Sequence, residues 1–234
     1  MVKEGYPEMS QKSMMLGKEA IDFLARYGIP TVKTTLLRER DLPKLSPPLV
    51  LKAVSPKIIH KAKQGAVEIA YTRPAIRQAY LRLKKLGGVI AQPYSPGFEL
   101  IMGIKRDELF GHVLLFGSGG TRVEAMNDVA FRSVPITRKD AIGLITDTQA
   151  YKVLSHGGKK PGFPILQDAL MGLNRMALEN PGIDELDVNP FIFDGEKGWA
   201  VDARIVKSEI GEGGKNRGGA RGKIRGRKAK VVEK

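Results

Sequence analysis

Residues 185–206, ELDVNPFIFDGEKGWAVDARIV, decide how this chain folds. Two apolar, β-branched runs, 186–193 and 199–206, flank the turn pair Asp194-Gly195, a pattern that predicts an antiparallel hairpin. Side chains alternate across a strand, so Asp187 and Asn189, two apart, leave one face of the sheet together. Asp202 is predicted on the paired strand, across a turn short enough to bring it near them. Hard oxygen donors converging from neighbouring strands are what a Mg2+ ion carrying phosphates requires. Two surface acids and an Asn at a strand end would give the same letters, although Pro190 inside the run suggests a fixed local geometry.

Outward from the hairpin, strands and helices mix without regular crossovers. Residues 10–27 are predicted as an amphipathic helix, with Ser10 as its cap, Leu16, Ala20, Phe23, Leu24 and Tyr27 on one face, and Gly28 and Pro30 as its stop. LVLKAV (49–54) and VEIAY (67–71) are predicted strands around a polar, turn-rich stretch at 55–66. Thr72 and Pro74 open a second helix that ends at Gly87-Gly88. Strands follow at 89–93, 98–104 and 112–116, then the glycine cluster FGSGGT at 116–121. Thr137 with Asp140 resembles a capping box, and Leu166, Ala169, Leu170, Leu173, Met176 and Ala177 define a helix closed before Pro181. Hairpins of this kind argue for an α+β fold over a doubly wound sheet.

Composition bounds the rest. The 234 residues suffice for one large domain or two small lobes, and 42% apolar with 27% charged residues is ordinary for a globular protein. No cysteine occurs, which excludes disulfides, thiolate metal sites and cysteine nucleophiles, and suits a cytoplasmic location. No apolar run approaches the roughly 20 residues of a membrane helix, and MVKEGYPEMSQKSMML is not expected to be a signal peptide. Half of the net charge of +14 lies in residues 207–234, where ten Lys or Arg face three Glu. That Gly/Arg-rich stretch offers little to bury, so residues 208–234 are expected to be a disordered basic tail. It has no aromatic residue for base stacking, so nucleic acid is not expected as a specific partner.

ELDVNPFIF and WAVDARIV together resemble the signatures that close the ATP-grasp domains of acyl-CoA synthetases. The resemblance runs in order over about residues 10–206: YGIP, LVLKAVSPKIIHK, AQPYSPGFELIMGIKRD and FGHVLLFGSGGTRVEAMNDVAFR. The chain is similar to the nucleotide-binding β subunit of ADP-forming acetyl-CoA synthetases, within the succinyl-CoA synthetase superfamily. The resemblance implies two lobes with the nucleotide between them: an N-terminal helix over 1–30, lobes over 31–90 and 91–207, and the tail beyond. It implies Asn189 and Asp202 as Mg2+ ligands and Asp187 as an acid facing the phosphoryl-transfer centre. Lys52 matches the lysine that reaches the phosphates of ATP or ADP, and a lysine on a buried strand would be costly without an anionic partner. Gln92, Pro93 and Tyr94 match the hinge beside the adenine, with Glu99 in the same nucleotide-binding segment. Gly119, Gly120 and Glu124 match a segment lining the phosphoryl-transfer or subunit-interface loop.

His60 is the second centre. It lies in SPKIIHKAKQGAV, flanked by Lys57, Lys61 and Lys63. By default a histidine is a surface or packing residue. Here, however, neighbouring lysines would hold the imidazole neutral and nucleophilic and could neutralise an arriving phosphoryl group. The resemblance implies that His60 is a phosphoryl carrier between a CoA-binding α subunit and ADP. Two departures from the family pattern occur: Ala62 and Lys63 stand where Ser-Asp usually follows His-Lys, with Ala66 in place of one glycine, and Gly158-Lys159 stands where an Arg-Gly pair is common. His156 is expected to be a loop residue and His112 a structural one. No CoA-binding Rossmann fingerprint occurs, so the acyl chemistry is expected on the partner, in an α2β2 assembly. Two rival readings stay open at this level: a stand-alone ATP-grasp ligase, which would not need His60, and a nucleic-acid-binding protein acting through the tail.

Overall fold

The hairpin predicted at the C-terminal end of the body forms the middle of a sheet, and the other elements are arranged around it. The computed structural model describes residues 12–58, 61, 64–120, 128–155 and 163–208. The large sheet has the order β1 (Lys12–Leu16), β11 (Ala203–Ser208), β9 (Ile183–Phe193), β6 (Phe98–Asp107), β7 (Gly111–Ser118) and β8 (Val129–Ser133), with β10 (Gly198–Ala200) also pairing with β9. The smaller sheet has the order β2 (Thr35–Leu36), β5 (Gly88–Pro93), β3 (Leu49–Val54) and β4 (Val67–Ala70). All of these ladders are antiparallel, in keeping with the α+β expectation.

Each sheet buries one face under helices. Leu100, Met102 and Ile104 of β6 and Leu186 and Val188 of β9 pack with Leu166, Leu170 and Leu173 of α5 (Pro164–Glu179). The same core takes Ala20, Ile21 and Leu24 of α1 (Lys18–Arg26) and Ala141, Leu144 and Ile145 of α3 (Arg138–Thr146). In the smaller sheet, Leu51 and Ala53 pack against Ile76, Ala79 and Leu83 of α2 (Arg73–Leu83). Local chemistry sets the helix starts. Thr72 accepts from Ala75 N–H ahead of α2, and Thr137 and Asp140 form a reciprocal capping box at α3.

Two sequence expectations need correction. The helix predicted over 10–27 begins only at Lys18. Residues 12–16 form instead an edge strand paired with β11, in the register Lys12↔Ser208 to Leu16↔Arg204. A ladder to a strand far along the chain outweighs a short run of helical spacing. Gly17, at φ +55°, makes the turn between the two, a conformation that disfavours a continuous helix. The second correction concerns 199–206, which is two strands and not one. β10 and β11 are separated at Val201-Asp202, opposite Asn189 and Pro190, so Asp202 lies in the interruption and not on a paired strand. Pro190 has no N–H to continue the ladder; Val201 N–H donates to the Pro190 carbonyl (3.2 Å) and Asn189 N–H to the Asp202 carbonyl (3.3 Å). The hairpin turn is closed by Asp194, which accepts from Glu196 and Lys197 N–H.

Among the described residues no helix is long and apolar enough to cross a membrane. Residues 209–234, the greater part of the stretch expected to be disordered, lie outside the described residues.

Candidate functional site

The interruption at Val201-Asp202 is where the smaller sheet meets the larger one. Lys52, on β3, is only 5% exposed and donates from Nζ to the Val201 carbonyl at 2.6 Å. Gln92, on β5 beside it and 1% exposed, donates to the same carbonyl at 2.9 Å and to Thr34 Oγ1 at 3.0 Å. The strand break thus frees a carbonyl oxygen that two buried donors share. Backbone bonds extend the seam: Ala200 N–H donates to the Pro30 carbonyl (2.8 Å) and Val32 N–H to the Ala200 carbonyl (3.1 Å).

Charge gathers around this point. Lys61 donates from Nζ to both carboxylate oxygens of Asp202, at 2.6 and 2.7 Å, and the two side chains are 12% and 18% exposed. Burial lowers the Lys52 ammonium to a pKa of about 8; the charge of Lys61 adds to that, while Asp202 and Glu99 oppose it. Glu99, on β6, approaches from the other side. Its carbonyl accepts from Gly119 N–H (2.8 Å), and its carboxylate lies against Gly120, where an added methyl would collide with it. Gly120 also has φ +85°, so a side chain is disfavoured there twice over.

A second charged group lies two residues back along β9. Asp187 stands in register opposite Arg204 of β11 and Gly103 of β6, on the face of the large sheet away from the helices. Burial raises its pKa to about 7, helped by a hydrogen bond and like charge from Glu185, while Arg204 and Lys105 oppose the shift. Arg204 in turn pairs with Glu185 at 3.3 Å. Asp187 is therefore a carboxyl able to hold or release a proton near neutrality, beside Asn189 but in different company.

The remaining sequence candidates divide. Tyr94 is 37% exposed and its ring packs edge-on to Tyr71, with centroids 6.1 Å apart, while its N–H donates to the Pro48 carbonyl (3.2 Å). Its backbone donor is thus engaged within the chain, while its ring stays partly exposed. Pro93 is exposed at the end of β5. His112 bonds the Ile183 carbonyl at 2.7 Å, consistent with a structural part. His60, Glu124 and His156, with Gly158 and Lys159, lie outside the described residues.

Sequence reasoning passed over two residues that the fold makes important. Lys61 was visible only as one of three lysines around His60; its pairing with Asp202 spans 141 positions, and no local pattern announces it. Asp128, 8% exposed, accepts from Ser118 Oγ (2.5 Å), Gln149 N–H (2.6 Å) and Ala150 N–H (2.9 Å). Burial would raise its pKa, but these donors outweigh that and hold it below the usual range. Asp128 thereby ties the end of the glycine-bearing segment to the start of α4 (Gln149–Leu154).

Among the described residues no group of three or more His, Cys, Asp or Glu side chains could hold a metal by itself. Mg2+ does not need one, since it usually keeps waters and takes phosphate oxygens beside one or two protein ligands. Asn189 and Asp202, joined through the backbone at the break, fit that requirement. The Asp202 carboxylate already receives a cation from Lys61, so the position accommodates positive charge.

The family model described as an ATP-grasp domain matches residues 8–206. The chain is 38% identical over 207 residues to the acetate–CoA ligase (ADP-forming) I subunit beta of Pyrococcus furiosus, covering 80% of this chain and 89% of that one. It is 33% identical over 215 residues to the acetate–CoA ligase (ADP-forming) I of Archaeoglobus fulgidus, covering 83% of this chain but only 31% of that protein, so it spans about a third of that relative's length. Among solved structures, it resembles the dinucleotide forming acetyl-coenzyme A synthetase 1 of Ca. Korarchaeum cryptofilum. That structure holds coenzyme A and Mg-AMPPCP, with its phosphohistidine segment pointing towards the nucleotide binding site. The TM-score is 0.72 at 35% identity, covering 83% of this chain and 92% of that one.

Proposed function

The chain belongs to the ATP-grasp family, and from that premise we propose that it is the nucleotide-binding β subunit of an ADP-forming acyl-CoA synthetase. The reaction of the assembled enzyme is acyl-CoA + ADP + phosphate ⇌ acid + CoA + ATP. The acyl and CoA chemistry belongs to a CoA-binding α subunit, with α2β2 as the expected assembly and the cytoplasm as its setting. The two lobes, 31–90 and 91–207, clasp the nucleotide along the seam at Val201-Asp202. The observation that carries this reading is the meeting of Lys52, Lys61, Glu99 and Asp202 at that seam. Two buried or half-buried ammonium groups there face two carboxylates across the junction of the sheets.

Each residue then has a physical task. Lys52, stripped of water, presents a charge that a nucleotide's phosphates feel strongly. Gln92 keeps the Val201 carbonyl in place beneath it, and Pro93 and Tyr94, with Tyr71, offer an apolar edge to the base. Asn189 and Asp202 would hold Mg2+, which supplies charge neutralisation at the phosphate oxygens when bound. His60 receives the phosphoryl group from a phosphohistidine of the partner, its N–P bond forming as the partner's N–P bond breaks, and that bond breaks in turn as a β-phosphate oxygen of ADP attacks the phosphorus to give ATP. Asp187, a carboxyl whose ionised form burial disfavours, faces the phosphoryl-transfer centre. Gly119, Gly120 and Glu124 line the passage toward the partner, and the two glycines leave room there for close backbone approach.

Phosphate labelling tests the reading. With the CoA-binding partner, acetyl-CoA and radiolabelled phosphate, the chain should acquire an acid-labile, base-stable label. His60→Ala should lose that label and ATP synthesis while the partner still becomes labelled. A fully active His60→Ala enzyme would remove the carrier assignment and favour a stand-alone ligase.

A further inference from the structure

Asp202 is already occupied by a cation of the chain's own. Lys61 takes both carboxylate oxygens at 2.6 and 2.7 Å, and only 12% of its side chain is exposed. Mg2+ sits about 2.0–2.1 Å from its oxygen ligands, and at Asp202 it would meet the two oxygens that the ammonium already holds. A dication and an ammonium cannot share one carboxylate at such distances without strong repulsion. Lys52 lies close enough for its charge to be felt by both Lys61 and Asp202, so an added cation meets two ammonium groups. The Lys61 backbone carbonyl accepts from Ala66 N–H at 2.8 Å, a contact that replacing the side chain leaves in place.

We propose that Lys61 is a built-in counter-cation of Asp202, which a divalent ion must displace in order to bind. The proposal rests on the metal assignment made above for Asn189 and Asp202. In the metal-free protein Lys61 neutralises a largely buried carboxylate that would otherwise have Lys52 alone to oppose its charge. When metal arrives with a nucleotide, the ammonium is released from Asp202, and it belongs to the residue directly after His60 in the sequence. Displacement is a linkage, and linkage is reciprocal. Any anionic group that draws Lys61 away from Asp202, a phosphoryl group on the neighbouring residue included, must tighten metal binding by the same factor by which metal favours the drawn-away lysine. Metal occupancy at Asp202 and the phosphorylation state one residue before Lys61 would therefore report on each other without any change of fold.

Water-proton relaxation measured during titration of Mn2+ alone onto the full chain tests this without turnover. Lys61→Gln should raise Mn2+ affinity by about tenfold, within the usual range of such couplings. Lys61→Arg, which keeps the charge, should stay near wild type. Lys57→Gln, an exposed lysine four residues earlier, should change the affinity less than twofold and so exclude a general field effect. Asp202→Asn should abolish the high-affinity binding, with or without Lys61→Gln. Unchanged or weaker binding in Lys61→Gln, with Asp202→Asn still defective, overturns the counter-cation and leaves the metal assignment standing. Binding that Asp202→Asn leaves intact overturns the metal assignment, and the competition with it.

Discussion

Two charged centres lie along the large sheet, one at Asp187 of β9 and one at the strand break opposite Asn189, and they behave in opposite ways. At the strand break, opposite charges come from elements far apart in sequence, Lys52 reaching Val201 across 149 positions and Lys61 reaching Asp202 across 141. Around Asp187, like charges come from one strand, and the ladder to Arg204 is unbroken. The first arrangement leaves a lysine short of solvation and ready for an anion. The second disfavours the ionised form of a carboxyl. Burial drives both shifts, downward for Lys52 and upward for Asp187, because burial penalises whichever form is charged. Neighbouring places on one sheet can therefore shift an ammonium and a carboxyl in opposite directions, with the ladder opened at one and kept at the other.

If that contrast is right, the lysine side should give the larger effect. Lys52→Met should weaken ADP binding by about 100-fold, roughly 2.7 kcal/mol, while leaving the melting temperature unchanged or higher, since a buried charge is removed. Proton exchange on binding sharpens the point. Near pH 8 Lys52 is partly deprotonated, and phosphates should restore its proton. Calorimetry of ADP binding in two buffers of different ionisation heat should then show proton uptake at pH 8–9, little at pH 6.5, and none in Lys52→Met. Uptake that persists in the mutant would assign the titration to another group.

A smaller effect is expected at Asp187, with the sign set by linkage. Burial raises its folded pKa to about 7, well above the ordinary carboxylate range near 4, so the folded state holds the extra proton between those values. Stability from this group is present below about pH 4 and is lost as pH rises through 7. Asp187→Asn should therefore be more stable than wild type at pH 8, by about 1–2 kcal/mol, and nearly equal at pH 4. Urea unfolding at the two pH values checks this, and a stability gap independent of pH would mean that Glu185 and Arg204 already neutralise the site.

What could be read in the sequence was what local chemistry determines. The apolar run 49–54, the Thr72 and Thr137 caps and the hairpin around Asp194 all follow from spacing and turn residues, and each is present. What stayed hidden depended on distant partners. Residues 12–16 carry a helical pattern but become a strand because β11 offers an edge. The break at Val201-Asp202 arises because Pro190, on the opposing strand, cannot donate, and because Lys52 and Gln92 claim the freed carbonyl. Asp202 was identified from its motif, yet its companion Lys61 was not, since an ion pair between a turn and a strand break leaves no periodic trace.

The central claim is that the strand break at Asp202 is the metal-dependent nucleotide site. Calorimetric titration of ADP with and without Mg2+, on wild type and Asp202→Asn at equal folded content, tests it most directly. The account predicts that Mg2+ tightens ADP binding to wild type by about tenfold or more, one charge-pair coupling, and that the two titrations superimpose in Asp202→Asn. A mutant that keeps the full Mg2+ dependence would contradict it.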